Sequence, residues 1–133
     1  MVRHILILCL ITLLVLLSYG YAENELTNHW WQTANLFDIK NRFKFQHNMN
    51  GTDENNRTLL QLALINSQDD KIPAWFISKN ITVSHIDSFG KSTYYYALNN
   101  PQMSRIAFYL YLYHSNAWTK NQLITASRGD DNE

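Results

Sequence analysis

The chain has 133 residues, of which 46% are hydrophobic and 17% charged, with 11 basic residues against 11 acidic ones. That length and balance describe one folded domain and exclude a disordered, charge-rich tail. Zero formal charge without a basic stripe offers no electrostatic footprint for nucleic acid.

The first element reads as a leader. Arg3 and His4 precede an apolar run from Ile5 to Leu17 that only Thr12 interrupts, and Ser18-Tyr19-Gly20-Tyr21-Ala22 follows. Small residues at Gly20 and Ala22 fit signal-peptidase cleavage after Ala22, so residues 1–22 are expected to be a signal peptide. The run of about 13 residues falls short of the ~20 that span a bilayer. An uncleaved anchor over residues 5–22 is the alternative. Cys9 lies inside the run, so the mature chain has no cysteine. A small domain exported without disulfides points to a bacterial periplasm.

Next, residues 24–36, with Trp30 and Trp31, and residues 38–47, with Ile39 and Phe43, are expected to form a helix pair. From Asp53 onward the sequence matches itself at an offset of 34. Asp53 falls on Asp87, Asn56 on Gly90, Thr58 on Ser92, Leu60 on Tyr94, Ala63 on Ala97 and Leu64 on Leu98. Asn66 falls on Asn100, Gln68 on Gln102, Ile72 on Ile106 and Phe76 on Leu110. Each part has a physical task. The aspartates accept N–H bonds in a turn, and Asn56 and Gly90 tolerate positive φ. Thr58 and Ser92 cap a helix, and Leu60, Ala63 and Leu64 line one helical face. Ile72, Trp75 and Phe76, then Ile106, Tyr109 and Leu110, mark a second helix, with Pro73 in its first turn and Asp69-Asp70 before it. Tyr94 and Tyr109 are expected in the core and Tyr96 at the surface. Ser115 or Asn116 is expected to cap a last helix with Trp118, Leu123 and Ile124, and residues 130–133 are a polar tail.

The strings Asp53-Glu54-Asn55-Asn56-Arg57-Thr58-Leu59-Leu60-Gln61-Leu62-Ala63 and Asp87-Ser88-Phe89-Gly90-Lys91-Ser92-Thr93-Tyr94-Tyr95-Tyr96-Ala97 resemble the D-x-x-G-x-T-P-L-H-x-A core of the ankyrin repeat. Leu59 and Thr93 replace its proline, Gln61 and Tyr95 its histidine, and Asn56 its glycine in the first copy. Without the histidine, a side-chain bond between neighbouring repeats is expected to be lost. A tetratricopeptide array has the same period, but the acidic turns and the missing aromatic–glycine pattern argue against it. The resemblance implies an all-α solenoid over residues 23–129, with two clear ankyrin-like repeats between two atypical capping units.

No catalytic, metal or cofactor constellation emerges. His29, His47, His85 and His114 are scattered without ligand spacing, and no serine has nucleophile-elbow context. Proteins similar to this bind partners through the turn tips and the outward side of each first helix. Carried over, the tips are Glu54, Asn55, Arg57, Ser88, Phe89 and Lys91. The helix positions are Leu62, Ile65, Asn66, Tyr96, Asn99 and Asn100. The expected function is an exported, non-enzymatic protein-binding module of inhibitor or immunity type, monomeric when free. A non-inhibitory adaptor or stabiliser of an exported enzyme and a membrane-anchored scaffold are the alternatives.

Overall fold

The computed structural model describes residues 2–25, 27–46 and 48–129, the side chains of residues 15–25 excepted. Among the described residues the fold is all-α: eight α-helices, one 3₁₀ turn at Pro101–Met103, and no strand beyond two isolated antiparallel bridges. Helix α1 spans Val2–Glu25, and its described side chains, those of residues 2–14, are exposed. Among the described residues no helix is long and apolar enough to cross a membrane. The side chains around Ala22, where cleavage is expected, and the tail 130–133 lie outside the described residues.

The upstream pair is broken differently from the expectation. In place of one helix over residues 24–36 there is a short α2, Asn28–Thr33, followed by α3, Leu36–Phe43. Local capping sets these limits. The Thr27 hydroxyl accepts from the Trp30 N–H at 3.3 Å, and Asn35 and Asp38 exchange bonds of 2.9 and 3.0 Å in a reciprocal capping box. Residues 44–46 fall outside the helix, and His47 is outside the described residues.

Two helix pairs follow: α4, Leu59–Asn66, with α5, Lys71–Ser78, and then α6, Thr93–Leu98, with α7, Ser104–His114. Pro73 is the third residue of α5, where its missing N–H deprives no carbonyl of an intrahelical partner. Helix α4 packs against both α6 and α2. The last helix, α8, Lys120–Arg128, starts later than expected. Thr119 and Gln122 form its capping box, while Ser115 and Asn116, the latter at φ 61°, terminate α7. Trp118 therefore precedes α8, its ring 5.4 Å from that of Tyr109.

Helix α8 folds back onto α5 and also touches α7; its contact with α5 is the most extensive between any two helices among the described residues. The core runs through all these elements. Trp31, Phe43 and Phe76 cluster at ring separations of 5.4–6.3 Å, beside Ile39, Leu60, Leu64, Ile72, Ile106, Leu110 and Leu123, all fully buried. Burial of this kind stabilises by roughly 1.5–3 kcal/mol per large side chain. Tyr94 and Tyr109 are only partly buried against that core.

Candidate protein-binding surface at the turn tips

The turns before α4 and α6 repeat one set of bonds, one repeat length apart. The Asp53 N–H donates to the Arg57 carbonyl at 3.0 Å and the Asn56 N–H to the Asp53 carbonyl at 3.0 Å. In the second turn the Asp87 N–H donates to Lys91 at 3.0 Å and the Gly90 N–H to Asp87 at 3.1 Å. Asp53 Oδ1 accepts from the Asn55 and Arg57 N–H groups, and Asp87 Oδ1 from those of Phe89 and Lys91, all at 2.9 Å. Asn56 at φ 57° and Gly90 at φ 72° supply the left-handed step. Thr58 and Ser92 accept from the third N–H of their helices at 3.1 and 3.0 Å. These turns are rigid because sequence, dihedral and hydrogen bond agree at each place.

The remaining carboxylate oxygen of each aspartate is satisfied by a different residue. Asp53 Oδ2 accepts from Arg57 Nε and pairs with its terminal nitrogen, both at 3.0 Å. Asp87 Oδ2 instead accepts from the Tyr96 phenol. Burial pushes the Asp87 carboxyl up, but the Tyr96 bond, the Lys91 and Phe89 N–H groups and the nearby Arg57 charge outweigh it and hold it below 3.8. For Tyr96, burial and then the bond to Asp87 push the phenol from 10.0 up to about 12.

Neighbouring turns are tied together. The Ser88 N–H donates to the Asn55 carbonyl at 3.0 Å, and His85 Nε2 donates to the Asn56 carbonyl at 2.7 Å. Gln61 corrects the expectation of a lost tie. Its Oε1 accepts from the Thr58 N–H, and its Nε2 donates to the His85 carbonyl, both at 3.0 Å. An amide has the acceptor and the donor that both bonds require.

These commitments revise the expected surface. Leu62 and Asn66 are buried, the Asn66 amide donating to the Leu62 carbonyl at 3.1 Å, so neither is presented outward. Ile65 is half-buried. Tyr96, expected at the surface, is half-buried with its hydroxyl on Asp87. Asn100 is half-buried too, its amide donating to the Leu64 carbonyl at 2.8 Å. Arg57 is held by Asp53, and Asn55 is partly buried inside the turn. Glu54, Ser88, Phe89 and Asn99 are exposed, as expected, with Lys91 partly so.

Ile86, which the repeat pattern does not single out, and Tyr95, which holds the histidine place of the second string, are also exposed. The Lys91 ammonium stands 4.3 Å from the centroid of the Tyr95 ring. The second turn and the helix after it thus expose Ile86, Phe89 and Tyr95, with the Lys91 ammonium over the Tyr95 ring. Ile86 lies one residue before the turn aspartate, at the position of Thr52, so its apolar character was the signal that could have found it.

Among the described residues no group of three His, Cys, Asp or Glu side chains could hold a metal ion. Comparison with protein-family models, curated proteins and solved structures gives no match.

Proposed function

We propose that this chain is an exported protein–protein interaction module, built as a small divergent ankyrin-like stack, that binds and blocks a partner protein through its second turn tip. It acts in the bacterial periplasm after removal of residues 1–22, in the manner of an immunity or inhibitor protein, without catalysis or cofactor. The observation that carries the reading is the exposure of Ile86, Phe89 and Tyr95 at a turn and the helix after it, the turn's backbone being held by Asp87. A large aromatic on a rigid support loses little entropy when a partner covers it, and such residues dominate binding energy at interfaces. The recurrence of the same bonds in two successive turns supports the stacked-repeat part of the proposal.

The test is a pull-down from the native host with a Phe89→Ala, Tyr95→Ala double variant beside the wild type, followed by an activity assay on the captured protein. One stoichiometric partner, held and inhibited by the wild type and released by the folded variant, is expected. Equal capture by both proteins overturns the tip assignment. Capture without inhibition favours the adaptor reading.

A further inference from the structure

The chain has one Asn-Gly step, Asn50-Gly51, in the segment between α3 and the first turn. Its surroundings favour one reaction. Asn50 and Gly51 are both exposed. The Gly51 N–H has no hydrogen-bond partner among the described residues, so its nitrogen is not tied into secondary structure. A Cβ added at Gly51 would meet nothing within 4 Å, so the space beside that nitrogen is open to water and base. The Thr82 N–H donates to Asn50 Oδ1 at 2.8 Å, drawing electron density from the side-chain amide carbon. The same bond ties the segment before α4 to the segment after α5. Elsewhere the equivalent nitrogen is held: those that follow Asn55 and Asn56 donate to Asp53 at 3.0 and 2.9 Å.

We propose that Asn50 is a self-modification site, where the folded chain converts asparagine to isoaspartate and aspartate with water as the only co-reactant. Hydroxide takes the Gly51 N–H proton. The nitrogen then attacks Asn50 Cγ, forming an N–C bond while the carbonyl electron pair moves onto Oδ1. The Thr82 N–H stabilises that charge as it develops. When the pair returns, the Cγ–Nδ2 bond breaks, and Nδ2 takes a proton from water and leaves as ammonia. A cyclic imide remains. Water adds to either of its carbonyls and opens it, to isoaspartate or to aspartate. Amide and water thus become carboxylate and ammonia. Glycine is needed because the backbone must rotate to bring the nitrogen onto Cγ, and a Cβ restricts that rotation.

The products differ in what they leave for Thr82. Aspartate keeps an oxygen for its N–H and adds a negative charge. Isoaspartate lengthens the main chain by a methylene and shortens the side chain by the same, which withdraws the acceptor and opens the Thr82 amide to water. The modification therefore acts on the connection that leads to Ile86 and the second turn. It does not depend on what the turn tips bind.

The experiment incubates the full chain at neutral and mildly alkaline pH, with Gly51→Ala beside the wild type and the wild type unfolded in urea as reference. Residue 51 has room for a Cβ, and circular dichroism confirms that the variant folds. Fragmentation mass spectrometry of the tryptic peptide 45–57 locates each converted residue, and enzymatic methylation reports isoaspartate. Conversion is expected at Asn50 ahead of Asn48, Asn55 and Asn56, faster at the higher pH. Gly51→Ala should slow it about tenfold. In the isolated isoaspartate form the Thr82 amide should exchange its hydrogen faster than in the unmodified chain. An Asn50 that stays intact while the urea-unfolded chain converts overturns the proposal, and so does an equal rate in Gly51→Ala. Unchanged exchange at Thr82 overturns the effect on the connection to the second turn.

Discussion

The Tyr96 phenol donates to the Asp87 carboxylate, and the position equivalent to Tyr96 in the first helix pair is Leu62, which has no group to donate. In the first turn Arg57 supplies what Leu62 lacks, bonding its own aspartate. In the second, Lys91 holds Arg57's position but lies over Tyr95. One requirement, a satisfied turn carboxylate, is thus met by two different residues, and the second solution leaves the Lys91 ammonium at the surface.

Tyr96→Phe is expected to cost about 1.5–3 kcal/mol, the range for hydrogen bonds to charged groups, in urea denaturation at neutral pH. The pH dependence follows from the directions of the shifts. The Tyr96 value is raised in the fold, so its contribution is complete below pH 10.0 and fades as pH rises towards about 12. The Asp87 value is lowered, so its contribution is complete above pH 3.8 and fades as pH falls through the lower folded value. Denaturation midpoints measured from pH 9 upward should show the alkaline loss in wild type and a smaller one in Tyr96→Phe. Identical alkaline slopes would mean that the bond contributes nothing.

Gln61 is fully buried and serves both its own helix and the next turn. Gln61→Ala should strand the buried Thr58 N–H and release the half-buried His85 carbonyl to water, destabilising by roughly 1–3 kcal/mol, the cost of one buried unsatisfied group. Gln61→Glu keeps the acceptor for Thr58 but sets a carboxylate against a carbonyl, so it should be at least as harmful. Chemical denaturation of the two variants decides this. A cost under about 0.5 kcal/mol for either one would mean the tie is dispensable.

Gly90 has φ 72°, and a Cβ added there would meet nothing within 4 Å. Any loss on substitution is therefore conformational rather than steric. Gly90→Ala is expected to cost about 1 kcal/mol. Gly90→Asn should cost less than half as much, because Asn56 already adopts φ 57° at the equivalent place. Thermal melts of the pair test this, and equal losses would refute it.

Most of the helical fold was legible because each element carries its own signals. The turn aspartates, Asn56 and Gly90, and the caps Thr58 and Ser92 act within a few residues, and the structure shows each in the expected part. What was not legible depends on distance or on competing caps. Thr27 and Asn35 each start a new helix, a choice that hydrophobic periodicity does not register, and Thr119 overrides Ser115 and Asn116 as the last cap. Leu62 and Asn66 looked outward by analogy, yet the neighbouring helices bury them. The return of α8 onto α5 is a tertiary choice with no local mark.

At their far edge the two helix pairs are joined by an ion pair. Arg105 Nε and its terminal nitrogen bond Asp70 Oδ2 and Oδ1 at 2.9 and 2.8 Å, linking the residue before α5 to the first turn of α7. Two parallel bonds fix the fork of a guanidinium, which a lysine cannot reproduce. The side chains are 30% and 26% exposed, so water screens part of the attraction. A double-mutant cycle with Asp70→Asn and Arg105→Gln should give a coupling of about 1 kcal/mol, shrinking in molar salt. Arg105→Lys should keep less than half of it. A coupling no larger than about 0.3 kcal/mol, the scatter of independent sites, would mean that apolar packing alone sets the relation between the pairs. Ile72, Ile106 and Leu123, all fully buried, would then carry it.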